Sequence, residues 1–365
     1  MRSYQIQVIR SFLHFYGVSV SARLRHLVAF GLLLVALPAS SLAAELHLLC
    51  WTEYVPKQVI EKFTQQTGAK VVVENYNSNE QMLEKLRSKP GYYDLVQPSG
   101  FYVETLVKQQ GLEPLDYQHI PNAKHLDPQF RHLAHDPESS YSVPWLAGTV
   151  GIVVNTERVQ EPVRTWVDVF NGKHAGRIVV VDDNREIAAW ALASLGMPIT
   201  NVSPAALEKI VPVLEKWLPQ VAVFDADSPK DALLNGKADI GIVWSGEAAT
   251  LWLKDHKYQY VLPQEGAHMF LDSLAIPKGA PQKALAETFI NYCLTPEVSK
   301  VISDEFPYTN PNLTARQLLT AEQRANPASY LPGNPVLKPL RNEGNTTQAV
   351  HEFVRRIRAR AGNQR

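Results

Sequence analysis

Leu46-His47-Leu48-Leu49-Cys50, Lys70-Val71-Val72-Val73 and Asp94-Leu95-Val96 are three apolar runs, each of strand length. Between the first two, Pro56 suits the first turn of a helix, Val59, Ile60 and Phe63 recur at helical spacing, and Gly68 marks a stop. Between the second and third, Asn79 to Leu86 is amphipathic, with Met82, Leu83 and Leu86 on one side. Strand, helix, strand, helix, strand predicts an α/β layout on a largely parallel sheet.

The pattern repeats downstream. Gly151-Ile152-Val153-Val154, Arg177 to Val181, Val221 to Phe224, Asp239 to Trp244 and Ser273 to Pro277 read as strands. Glu186 to Leu195, Pro204 to Leu218, Gln282 to Cys293 and Pro296 to Ile302 read as helices, with Pro212 a perturbation inside the second. A tail rich in Pro and Asn, roughly 306 to 346, is too long for an ordinary loop and is expected to wrap across both units. The last helix, Thr347 to Arg360, turns Val350, Phe353, Val354 and Ile357 inward. Its Arg355, Arg356, Arg358 and Arg360 read as a solvated face near a helix C-terminus.

Upstream, Arg23 and Arg25 lead into an apolar run from Leu27 to Leu37, then Pro38 and the small residues of Ser41-Leu42-Ala43-Ala44. This is the three-part pattern of an export signal, 1–44, with a retained anchor as the alternative. The whole chain has 365 residues, with 36 Lys and Arg against 36 Asp and Glu. That length suggests two domains, and the charge balance speaks against nucleic-acid binding. Residues 1–44 hold four of the basic residues and no acid, so the remaining 321 residues carry 32 basic against 36 acidic, a net of −4. Two cysteines, Cys50 and Cys293, exclude a disulfide-dense scaffold and a four-thiolate zinc site, and they read as small core hydrophobes.

No nucleophile elbow, His-Glu-x-x-His zinc motif, phosphate loop or Gly-x-Gly-x-x-Gly occurs. What recurs is an acid beside an aromatic at strand ends: Trp51-Thr52-Glu53-Tyr54, Asp182-Asp183-Asn184-Arg185-Glu186, and Trp244-Ser245-Gly246-Glu247. Ser99-Gly100-Phe101-Tyr102 follows another strand, and Asp272 lies beside Phe270. Ligands of open parallel sheets bind at that edge. Each feature has a local explanation too, such as a capping box for Asp183 with Glu186. Gathered in one cleft, carboxylates repel one another, and a ligand with separated ammonium groups relieves that cost. Aromatic faces attract ammonium and cover methylenes. The set fits a linear polyamine, with a sugar, and hence a glycosidase-like enzyme, as the other reading.

The chain resembles the polyamine-binding periplasmic proteins of bacterial ABC importers, of the spermidine/putrescine-binding type. The resemblance runs from about Leu46 to Leu319. It rests on Trp51 to Pro56, Tyr93 to Val96 with Pro98-Ser99, Asp182 to Glu186, Asp272 to Pro277, and Pro311 to Arg316. It implies a two-lobe α/β fold, each lobe a central sheet flanked by helices, with hinge crossovers and the ligand between the lobes. Lobe one is then 45–147 plus 271–320 and lobe two 148–270 plus 321–365, interleaved instead of sequential.

By the same resemblance, Trp51 and Tyr54 flank the ligand with Glu53 beside an amine, and Ser99 is a polar contact. Phe101 stands where a tyrosine is common. Asp183, Glu186 and Asp272 partner ammonium groups, Trp244 is a stacking platform, and Tyr308 a lid aromatic. Glu247 and Phe270 lean toward a putrescine-like pattern, although Glu247 would equally serve an extra amine of a longer ligand. The implied partners are putrescine or spermidine and an inner-membrane ABC permease. The implied protein is a periplasmic monomer with no cofactor, metal or catalytic residue. A sensing role, or another organic cation, is the alternative.

Overall fold

β1 (Glu45–Trp51), α1 (Lys57–Thr67), β2 (Lys70–Tyr76), α2 (Asn79–Ser88), β3 (Leu95–Val96) and α3 (Gly100–Lys108) follow one another in a computed structural model of the chain. It describes residues 44–200, 202–333, 337–339 and 346–362. The expected export segment before Ala44 lies outside the described residues. β1 pairs in parallel with both β2 and β3, and α1 buries Val59 and Phe63 beneath them.

β4 (Ser142–Asn155) comes next, then α4 (Trp166–Val169), β5 (Ile178–Val181), α5 (Asn184–Ser194), α6 (Pro204–Trp217), β6 (Val221–Asp225) and α7 (Lys230–Leu234). These lead to β7 (Ile240–Trp244), α8 (Ser245–Lys254), β8 (Tyr258–Val261) and β9 (Ala267–Ala275). β5 pairs in parallel with β6 and β7. Pro212 is absorbed within α6, where it sits on the exposed side together with Glu208, four residues earlier. The carbonyl that loses its N–H partner there belongs to an exposed residue and has water available.

The two parallel groups are joined by antiparallel strands. The first part of β4 pairs with β9, and its last part with β7 and β8. β4 is longer than the expected Gly151–Val154 because all 14 of its residues are buried. A strand covered on both faces shows no alternation, and Pro144 and Gly148 break its apolar run. Pro144 stands at the register shift between Pro144 and Leu146, where a missing N–H is tolerated. β9 likewise begins at Ala267, ahead of the expected Ser273.

α9 (Lys283–Cys293), α10 (Pro296–Glu305), α11 (Leu313–Leu318), α12 (Ala321–Ala325), β10 (Leu337–Pro339) and α13 (Thr346–Gly362) complete the chain. The tail crosses the molecule, with backbone bridges from Asn312 to Leu126 and from Thr309 to Ala147. The Asn326 side chain donates to the Ala249 carbonyl at 3.0 Å, and β10 pairs with β9. One apolar core gathers Leu46, Phe63, Leu95, Val143, Leu146, Leu274, Phe289 and Ile302. Another gathers Val150, Trp166, Ile178, Trp190, Ile210 and Ile242 with Val350, Phe353, Val354 and Ile357 of α13. Trp244 packs against both. Cys50 and Cys293 are free and buried in the first of these cores. No helix of the described residues is long and apolar enough to cross a membrane.

Candidate functional site

The strand ends of the two parallel groups open onto a cleft of about 800 Å³. One wall comes from the β1 turn (Trp51, Thr52, Tyr54), from Asn79 and Glu80 of α2, and from Ser99 and Phe101. The other comes from Asp182 to Glu186 after β5, Asp227 after β6, and Trp244 at the end of β7. β9 crosses between them and presents His268, Phe270 and Asp272, alternate residues of one strand face. Tyr308, and His351, Arg355 and Arg358 of α13, add to the lining.

The aromatics form a chain. Trp51 lies 6.3 Å from Tyr54 between ring centroids, Tyr54 5.4 Å from Tyr308, Tyr308 5.9 Å from Phe270, and Phe270 5.5 Å from Trp244. Two glycines make room for it. A Cβ at Gly148 of β4 would fall 2.5 Å from Phe270 Cζ, and one at Gly246 would fall 2.5 Å from Tyr308 Cε2.

Asp272 sits within this chain and is 3% exposed. Its carboxylate accepts from Tyr54 Oη at 2.8 Å and from Ser99 Oγ at 2.6 Å. Ser99 is held in turn by Asn79, which donates to its hydroxyl and accepts its amide N–H. Burial pushes the Asp272 carboxyl up to about 6, although both hydroxyl donors oppose the shift.

Asp183 caps α5, accepting the N–H groups of Arg185 at 2.7 Å and Glu186 at 3.0 Å. Burial and the neighbouring Glu186 charge push its carboxyl up to about 6. The expected capping box is only half made, because Glu186 turns to His268 Nδ1 and leaves the Asp183 amide. Glu186 Oε2 is buried without a hydrogen-bond partner. The Arg185 guanidinium lies over the Phe101 ring, 5.5 Å from its centroid.

Ten of the twelve expected site residues line this cleft: Trp51, Tyr54, Ser99, Phe101, Asp183, Glu186, Trp244, Phe270, Asp272 and Tyr308. Glu53 and Glu247 are not on its wall. They converge instead on Lys230, whose Nζ lies 3.1 Å from Glu53 Oε2 and 3.0 Å from Glu247 Oε1. Burial pushes the Glu247 carboxyl up to about 8, against the pull of Lys230. Although burial penalises it, the Lys230 ammonium is held above the ordinary lysine value by Glu247 and Glu53. Both shifts fit a shielded Glu247–Lys230 pair to which the solvent-exposed Glu53 adds a second negative charge.

Sequence reasoning missed Lys230, His268 and Arg358. Arg358 does not face solvent alone: it pairs with Asp182 at 2.5 Å and covers Phe224, and with Arg355 it makes two of the four arginines read as a solvated face part of the cleft wall. His268 was legible as the third member of the alternation with Phe270 and Asp272. Lys230 follows a strand end, but only acids and aromatics were sought there. Among the described residues no group of three or more His, Cys, Asp or Glu is placed to hold a metal ion. The wall carries six acids, Glu80, Asp182, Asp183, Glu186, Asp227 and Asp272, against Arg185, Arg355 and Arg358. Such a cleft suits an elongated cation with apolar segments.

Comparison with known proteins agrees with this architecture. The chain is 34% identical over 342 residues to the spermidine/putrescine-binding periplasmic protein of Escherichia coli, covering 92% of this chain and 98% of that one. The solved spermidine/putrescine ABC transporter substrate-binding protein PotD of Streptococcus pneumoniae superposes with a TM-score of 0.73 at 29% identity, over 87% of this chain and 100% of the other. The TpPotD lipoprotein of Treponema pallidum gives 0.72 at 31% identity, over 87% and 99%. The profile of the bacterial extracellular solute-binding proteins matches residues 58–330. The chain belongs to that family of extracellular solute-binding proteins.

Proposed function

We propose that this protein binds a polyamine, putrescine or spermidine, in the periplasm and delivers it as a monomer to an inner-membrane ABC permease. The observation that carries the reading is Asp272, a buried carboxylate set within a chain of aromatic rings. Among the described residues it has two hydroxyl donors and no lysine or arginine paired with it. A ligand ammonium supplies the missing charge, and the rings flanking it cover methylenes. Asp183 and Glu186 on the opposite wall serve a second amine. Tyr54 and Ser99 orient Asp272, while Trp51, Trp244, Phe270 and Tyr308 enclose the chain and Phe101 stacks with Arg185. We place lobe one at 45–147 plus 271–320 and lobe two at 148–270 plus 321–365. The separation of the two apolar cores near Leu146–Val150 supports these bounds.

Calorimetric titration of protein stripped of copurified ligand tests the reading, with putrescine, cadaverine, spermidine and spermine as titrants. Saturable heat with at least one of them is expected. No heat with any of them overturns the polyamine assignment.

A further inference from the structure

Lys230 opens the short helix α7 just beyond β6. Its side chain is 16% exposed, and its Nζ donates to Glu53, Glu247 and Ser228 Oγ, the last at 3.3 Å. The three N–H donors of an ammonium are thereby all used. The two acids it joins border the cleft without lining it, Glu247 buried and Glu53 half exposed to solvent. Glu53 lies between Thr52 and Tyr54, both on the cleft wall, and Glu247 lies in the first turn of α8, which starts from Trp244. Tyr308, also on the wall, packs directly over Gly246. Glu53 adopts a left-handed backbone (φ 55), a conformation that non-glycine residues hold at a cost and that is found at binding sites. Glu247 Oε2 is buried and has no hydrogen-bond partner.

We propose that Lys230 is a specificity-determining residue: its ammonium fills the Glu53–Glu247 acid pair in place of a ligand amine and sets the cleft for a ligand with two ammonium groups instead of three. The inference rests on the polyamine reading and deepens it. A third ammonium arriving at this end meets a like charge already holding both carboxylates. A diamine bound between Asp272 and the Asp183–Glu186 wall meets no such conflict. Specificity then comes from repulsion of the longer ligand as well as attraction of the shorter one.

Calorimetry with putrescine and spermidine tests this on the full mature chain and on Lys230→Met, which keeps the apolar stem and removes the charge. The unaltered protein is expected to bind spermidine no more tightly than putrescine. In Lys230→Met the ratio of spermidine to putrescine affinity is expected to rise about tenfold, the worth of one modest ion pair. Adding Glu247→Gln to Lys230→Met is expected to cancel most of that rise. Tighter spermidine binding by the unaltered protein overturns the proposal even if the variant fails to fold, as does an unchanged ratio in a folded variant. Polyamine binding with either of these outcomes sinks only the role of Lys230. Absence of polyamine binding in the unaltered protein sinks the polyamine reading and this inference with it.

Discussion

Two hydroxyl groups donate to the Asp272 carboxylate, yet burial still holds its carboxyl up at about 6. An ammonium at that point gains a desolvated partner already oriented by Tyr54 and Ser99. Asp272→Asn keeps the shape and removes the charge, so it is expected to weaken polyamine binding by about 2–5 kcal/mol. Glu208→Gln, on the exposed face of α6, is expected to leave affinity unchanged; equal losses in calorimetry would remove Asp272 from the site. The raised values of Asp272 and Asp183 also give a pH dependence with a definite sign. Both carboxyls titrate near 6 when folded and near about 4 when unfolded. Across that window the folded state binds more protons, so the stability of ligand-free protein falls as pH rises from about 4 to 6. Binding of an ammonium requires the ionised form and runs the other way. Affinity is expected to weaken by about tenfold per carboxylate between pH 7.5 and pH 5. A flat calorimetric profile over that range would contradict the role of both acids. These acids were legible because acids and aromatics recur at strand ends. Lys230 was not, because a resident cation changes what its neighbouring acid can bind only once the two are seen in contact.

The β4–β9 pair positions the cleft, and it was also the part of the fold least legible in the sequence. β4 is buried along its whole length, so no period-two pattern marks it, and Pro144 and Gly148 disguise its first half. The parallel β1–α1–β2–α2–β3 run, by contrast, has helices with distinct apolar stripes between short apolar runs. Its parallel order needs no distant residue to be recognised. The half-made cap of α5 shows the same limit on a smaller scale. Asp183 obeys the local rule, but Glu186 leaves it for His268, eighty-two residues away. At Gly148 β4 and β9 meet closely, since a Cβ there would lie 2.5 Å from Phe270 Cζ and 2.7 Å from Ser245 Oγ. Gly148→Ala is therefore expected to displace the Phe270 ring and to lower stability by about 1–3 kcal/mol, the usual cost of overpacking. Because Phe270 links Trp244 to Tyr308, the same change is expected to weaken ligand binding. A denaturant melt and a titration check the two effects. Unchanged values in both would mean that Phe270 is not fixed by this contact.

Across the whole molecule the cleft is larger than the diamine proposed to fill it. A pocket of about 800 Å³ suits a drug-sized molecule, and a diamine with a few methylenes would leave much of that volume to water. Tyr54, Phe270 and Tyr308 of the wall belong to one apolar core, and Trp244, which touches Phe270, packs against both cores. Acids face the cleft from both sides, Glu80 and Asp272 with one wall and Asp182, Asp183 and Asp227 with the other, so in the empty state their like charges favour an open arrangement. A diammonium ligand reverses that preference by pairing with acids of both walls at once. It therefore has the differential affinity that a shift from open to closed requires. The strands β4 and β9 carry the chain between the two groups, so closure of the walls is expected to bend the molecule there. Small-angle scattering of the stripped protein is expected to show a smaller radius of gyration once putrescine is saturating. Sodium chloride at the same ionic strength is expected to produce no such change, because separate monovalent ions screen the acids without bridging them. Calorimetric saturation with an unchanged radius would mean that the diamine is held by one wall alone. Asp183 and Glu186 would then have no part in binding it.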